Sequence, residues 1–306
     1  MGLDHDHSHG SNKKALKISF FIISFYMAVE VIGGYLTNSL ALLADAGHML
    51  SDAVSLGIAL LAFTFGEKAA NYYKTYGYKR FEILAAVFNG VTLILISGFI
   101  FYEAYHRFSD PPEVASTGML IIAVIGFFVN VLVAWMLMQG DTKENLNLRA
   151  AFLHVLGDLL GSVGAIIAAL LMLLFGWAWA DPLASVIVAV LILISGWRVS
   201  KDAIHVLMEG TPKNIDLDEV IETIVKIDGV KDIHDLHVWI ITSGRNALSC
   251  HAVVDGDKSV DECQTILRTI EGNLKDKGIG HITIQLENND HPHDDLLMCQ
   301  HVGKEH

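Results

Sequence analysis

Six stretches of nearly unbroken apolar sequence, each close to the ~20 residues a helix needs to cross a bilayer core, decide what this chain can be. They run approximately Ile18–Leu36, Leu40–Phe65, Glu82–Tyr105, Met119–Met138, Ala150–Phe175 and Pro182–Val199. In lipid a backbone must satisfy its own hydrogen bonds, so six segments of this length read as six transmembrane helices. Composition agrees: over 306 residues, 52% are hydrophobic and 18% charged. A soluble reading is excluded for most of the chain.

The net charge of −13 is divided unevenly: the first 200 residues carry −3 and the remainder −10. This acidic balance argues against nucleic acid, which requires basic patches, and is compatible with a cationic cargo. Lysine and arginine set the orientation. They fall before the first segment (Lys13, Lys14, Lys17), in the second connection (Lys68, Lys74, Lys79, Arg80), in the fourth (Lys143, Arg149) and after the sixth segment (Arg198, Lys201). The other connections hold only Arg107. Both termini are therefore expected in the cytosol, with the body of the chain in the cell membrane. The acidic, His-rich start and the lack of a small-residue cleavage site make the first segment a retained helix and not a signal peptide. Cys250, Cys263 and Cys299 all lie in the polar third and read as reduced cytosolic thiols.

An ionisable group at mid-bilayer costs several kcal/mol and needs a reason. Two segments each place a histidine four residues before an aspartate: His48-Met-Leu-Ser-Asp52 and His154-Val-Leu-Gly-Asp158. On a helix that spacing puts both side chains on one face, about one turn apart. Two such pairs facing each other supply two imidazole nitrogens and two carboxylates. This is a set that a tetrahedral divalent ion, zinc most naturally, would accept. The carboxylates cancel the ion's charge, and protons would take its place when it leaves; histidine itself titrates near neutral pH. Packing polar groups that join helices are the bland alternative. Asp45 shares the His48 face and reads as a spare or supporting carboxylate, while Glu30, Asn89 and Asn130 read as interhelical hydrogen-bonding groups.

The stretch Ser39-Leu-Ala-Leu-Leu-Ala-Asp-Ala-Gly-His48-Met-Leu-Ser-Asp52, with His154–Asp158, Tyr76-Gly-Tyr-Lys-Arg80 and His234-Asp-Leu-His-Val-Trp239, resembles the signatures of cation diffusion facilitators. The bacterial cobalt–zinc–cadmium resistance exporters are the most similar type. The resemblance implies a six-helix metal/proton antiporter, usually a homodimer, that exports zinc and related divalent ions. It assigns His48, Asp52, His154 and Asp158 to the transport site, in the form associated with zinc preference. Zinc, with cadmium and cobalt as further cargo, is then substrate and a candidate regulatory ligand; no organic cofactor is expected.

Past the linker at 201–212, residues 213–288 change pattern. Asp216-x-x-Glu219 and Ser259-x-x-Glu262 read as capping boxes of two amphipathic helices, closed by Gly229 and Gly278. Lys231–Ile241 and Asn246–Asp255 form a hairpin about Ser243-Gly244, and His281–Glu287 a last strand. The order αββαβ predicts a small α+β cytosolic domain, similar to the ferredoxin-like, metallochaperone-like domain of the same family. Strict alternation along the first strand places His234 on the face of Leu236, Val238 and Ile240, and His237 on the opposite one. By the resemblance His234, His251 and Glu287 match metal-site positions; Cys263 and Gln285 stand where relatives often have histidines. His5, His7 and His9 in the arm at 1–17, and the His/Cys-containing tail at 289–306, attract metal by composition. The transport domain is expected over 18–200. No His-Glu-x-x-His motif supports a membrane metalloenzyme. The rival class is a metal-sensing receptor or channel without proton coupling.

Overall fold

The computed structural model describes residues 6–65, 71–138, 146–242 and 244–288. Outside that description lie also the side chains of 6–17, 19, 55–56, 58–65, 134, 136–138, 146–158 and 160. The chain forms two compact units, one of residues 1–69 and 84–201, the other of 70–83 and 202–306.

The first unit is built from α1 (Asp6–Thr37), α2 (Leu40–Phe65), α3 (Phe81–Ser109), α4 (Ser116–Met138), α5 (Leu146–Phe175) and α6 (Ala180–Leu207). Among the described residues, four helices contain a stretch long and apolar enough to cross a membrane, those of α1, α3, α4 and α6. Helix α1 starts before Ile18, and α6 continues through Val199 into the expected linker. Large apolar side chains such as Phe25, Phe88, Leu95, Phe128 and Leu174 point outward and stay exposed. In the interior, small residues and polar pairs stand beside buried apolar side chains such as Leu42, Leu93, Met119 and Ile192. A Cβ on Gly90 of α3 would lie 2.9 Å from the Gly196 carbonyl of α6, and one on Gly126 of α4 would lie 2.9 Å from the Tyr26 ring of α1. Such close approaches are how membrane helices gain packing contact without a hydrophobic drive.

One buried carboxylate organises the start of α2. Asp181, in the first turn of α6, is fully buried and accepts the Ser39 hydroxyl at 2.6 Å. It also accepts the backbone N–H of Leu40 at 2.9 Å and of Ala41 at 3.1 Å. The acid thus caps another helix in trans, satisfying donors that α2 cannot pair internally and placing negative charge at its positive end. Arg107 of α3 lies 3.7 Å from the same carboxylate, and its guanidinium donates to the Asn38 carbonyl at 2.7 Å. Asn38 itself turns the chain with φ 57°.

The second unit orders α7 (Leu217–Val225), β1 (Val230–Thr242), β2 (Arg245–Val254), α8 (Val260–Asp276) and β3 (Ile279–Glu287), the αββαβ order read from the sequence. The sheet runs β1-β2-β3, with β1 and β2 antiparallel and β2 and β3 parallel across α8. Val220 and Ile224 of α7, and Ile266, Ile270 and Leu274 of α8, cover one sheet face and pack with Ile233, Leu236, Val238, Leu248, Cys250 and Ala252. Ser259 and Glu262 form the expected capping box. The expected box at Asp216 does not form: Asp216 accepts from the Asp218 N–H, while Glu219 ion-pairs with Lys277. Nor does Gly229 close α7, which ends at Val225; Gly229, at φ 95°, leads into β1.

Asp181→Ala leaves the α2 donors and the Arg107 charge without their acceptor. We expect a loss of about 3–5 kcal/mol, as for other broken buried pairs, read as a lower thermal midpoint of the detergent-solubilised chain. Asp181→Asn, which keeps one oxygen acceptor, should fall between the two.

Candidate metal centres

In the first unit, α2 carries Asp45, His48 and Asp52 within two turns, with Asp45 3% and Asp52 6% exposed. Asp45 sits against α5: a Cβ on Gly161 would lie 2.8 Å from its Oδ1, and the Ser162 hydroxyl donates to its Oδ2 at 3.4 Å. Ser162 in turn accepts from the Asn130 amide of α4 at 3.2 Å. On the other side of α2, the Asn89 amide of α3 donates to the Ser51 hydroxyl at 3.1 Å, next to Asp52. Asn89 and Asn130 thus make interhelical bonds of the expected kind. The side chains of His154 and Asp158 lie outside the described residues. So do His5 and the side chains of His7 and His9, whose backbone belongs to α1.

In the second unit, three residues bring their ligand atoms within 4.8 Å of one another: His234, His251 and Glu287. Glu287 is 5% exposed and lies between the histidines, with Oε2 3.1 Å from His234 Nε2 and Oε1 2.9 Å from His251 Nδ1. The Gln285 amide donates to Glu287 Oε1 at 2.6 Å and fixes the carboxylate's orientation. Two borderline imidazole nitrogens and a hard carboxylate oxygen form a donor set that zinc accepts, and three ligands leave a fourth tetrahedral position open.

These residues lie on the sheet face turned away from the helices, and a β-bulge makes this possible. In the ladder, His234 pairs with His251 and His237 with Ser249, so Asp235 and Leu236 of β1 together oppose the single residue Cys250 of β2. Asp235 is left at φ 51°, a left-handed conformation that aspartate tolerates better than most residues. The alternation shifts there: Ile233 faces the helices before the bulge, and Leu236 and Val238 after it. The expectation that His234 shares a face with Leu236 and Val238 is therefore corrected. His234 and His237 share the opposite face, and a reading based on unbroken period-two alternation could not find this.

Cys263 is not among the converging ligands; it stands partly buried on α8, packed against the apolar core. Asp235 was missed in the sequence. Its only local signal was an αL-tolerant residue between two histidine-bearing positions. Its carboxylate lies 3.1 Å from His237 Nε2 and 3.9 Å from His251 Nε2.

The chain matches two family models, the cation efflux transmembrane domain over residues 16–208 and the cation efflux protein cytoplasmic domain over residues 212–289. It is 62% identical to the "Cadmium, cobalt and zinc/H(+)-K(+) antiporter" of Bacillus subtilis, covering 97% of this chain and 96% of the relative. It is 43% identical to the "Metal cation efflux system protein CzcD" of Cupriavidus metallidurans, over 94% and 90% of the two chains. To the "Zinc transporter ZitB" of Escherichia coli the identity is 42%, over 92% of each.

Burial, and secondarily the negative charge of Asp235, push the Cys250 thiol up to about 12. Raising a thiol's pKa keeps it protonated, so Cys250 holds almost no thiolate at neutral pH and is a poor metal ligand or nucleophile. Iodoacetamide at pH 8, followed by peptide mass mapping, should label Cys263 well before Cys250.

Proposed function

The chain belongs to the cation efflux family, and from that premise we propose that it exports divalent metal cations, zinc foremost, from the cytosol in exchange for protons. It is a secondary transporter and not an enzyme. In this reading α1–α6 are six membrane crossings, both termini are cytoplasmic, and the second unit joins two copies into a homodimer. Cadmium and cobalt, named for the Bacillus relative, are the further cargo.

The observation that carries the transport site is the contact of Asp45 with Gly161 and Ser162. From α2 to α5 the chain reverses direction three times, so in a membrane the two helices run antiparallel. Counting inward from that contact, about one turn reaches His48 on α2 and Asp158 on α5. About two turns reach Asp52 and His154. The two His-Asp pairs therefore fall at matched positions along the two helices with opposite order, each histidine level with the other helix's aspartate. This pairing supports His48, Asp52, His154 and Asp158 as the ligands of the transported ion. Two aspartates neutralise its double charge, and an empty site with both ionised would be costly in low dielectric. Protonation of the vacated site is what couples the two fluxes, through two exposures of one site.

Zinc also fits the cytosolic set. His234, His251 and Glu287 would hold it, and the bound ion would supply charge and a fixed link across the sheet. It would act as a regulator only if its affinity differs between the access states.

The test uses the purified chain in liposomes with acidic interiors. Zinc uptake should rise with the pH gradient and drop to the level of empty vesicles in Asp52→Ala and Asp158→Ala. The potassium in the Bacillus relative's name makes a potassium gradient the second arm of the assay. Zinc flux indifferent to the proton gradient would identify a channel or sensor and overturn antiport.

A further inference from the structure

We propose that Asp235, presented by the β1 bulge and held by His237, is a positioning residue for the cytosolic metal cluster, orienting His251 from the side opposite its metal-facing nitrogen. This rests on reading His234, His251 and Glu287 as a metal site. His251 Nδ1 faces Glu287 at 2.9 Å, inside the converging set, whereas Nε2 faces Asp235 Oδ2 at 3.9 Å. A histidine that ligates through one nitrogen needs the other to keep its proton, and an acceptor on that side fixes the tautomer and the ring plane. Asp235 supplies such an acceptor, within ion-pairing reach and a small side-chain adjustment from a hydrogen bond.

The carboxylate is itself constrained. Its other oxygen, Oδ1, lies 3.1 Å from His237 Nε2, so each oxygen is directed to a different histidine. The backbone makes the same point. In an unbroken strand, residues 234 and 235 project to opposite sheet faces, and the acid following His234 would be aimed into the apolar core. The bulge, with Asp235 at φ 51°, brings His237 onto the face of His234 and turns the intervening carboxylate toward both His237 and His251. One extra residue in β1 thus builds an outer layer around a cluster whose inner layer comes from all three strands.

Backbone and carboxylate can be separated, because glycine and asparagine both accept positive φ. The experiment titrates cobalt(II), then zinc in competition, into the full chain in detergent, on an Asp52→Ala/Asp158→Ala background that silences the transport site. Glu287→Gln defines the signal belonging to the cluster. Asp235→Gly should weaken that component about 10- to 100-fold, the range for lost outer partners of metal-bound histidines, and shift the cobalt d–d bands. Asp235→Asn, retaining an oxygen acceptor, should fall between, and His237→Ala should move affinity in the same direction by less. Unchanged affinity and spectrum in Asp235→Gly would overturn the proposal, as would a lower metal-free melting temperature with an unaltered spectrum. If Glu287→Gln also changes nothing, the cluster is not the metal site, and the underlying reading fails instead.

Discussion

The low dielectric around α2 is the constraint on which the first unit depends. Asp45, His48 and Asp52 sit on a helix whose neighbours are otherwise small and apolar, and each is tolerable only where another polar group or a cation answers it. Asp45 meets Ser162 of α5, and Ser51, adjacent to Asp52, meets Asn89 of α3. At its N-terminus the helix is secured by a carboxylate from α6. Helix α2 is thus tied to three partners through polar groups while its lining stays small enough for close approach. A polar helix face can be held at fixed depth in this way by hydroxyl and amide partners.

The second unit solves a different problem, placing imidazoles and a carboxylate on a sheet without burying them in the apolar core. Its helices occupy one face, and the opposite face collects His234, His237, His251, Gln285 and Glu287. Glu287 can be nearly buried there because two histidines and an amide surround it. The bulge at Asp235 keeps His234 and His237, three residues apart, on one face, as regular pleating would not allow.

Much of this was legible along the chain, because it depends on local period. Apolar length gave the helices, and Ser259 with Glu262 gave a cap that the structure contains. What escaped was non-local. Asp181 caps a helix 140 residues away in sequence, and no window around either position contains both partners. The Asp235 bulge shifts the alternation of β1 so that Leu236 and Val238 take the helix-facing side, and one irregular φ changes a correct strand into a wrong assignment of faces. Asp216 looked like half of a capping box, but Glu219 found a better partner in Lys277.

In the proposed antiport, metal and protons compete for the same four groups, His48, Asp52, His154 and Asp158. This competition is tested most directly by counting protons released as zinc binds. Calorimetry of the full chain in buffers of different ionisation enthalpy gives that number, and the cytosolic contribution cancels in the difference from an Asp52→Asn/Asp158→Asn chain. Under this competition the wild-type chain releases more protons per chain at zinc saturation than the double variant, with the excess growing as pH falls. Equal release by the two chains across that range would contradict it.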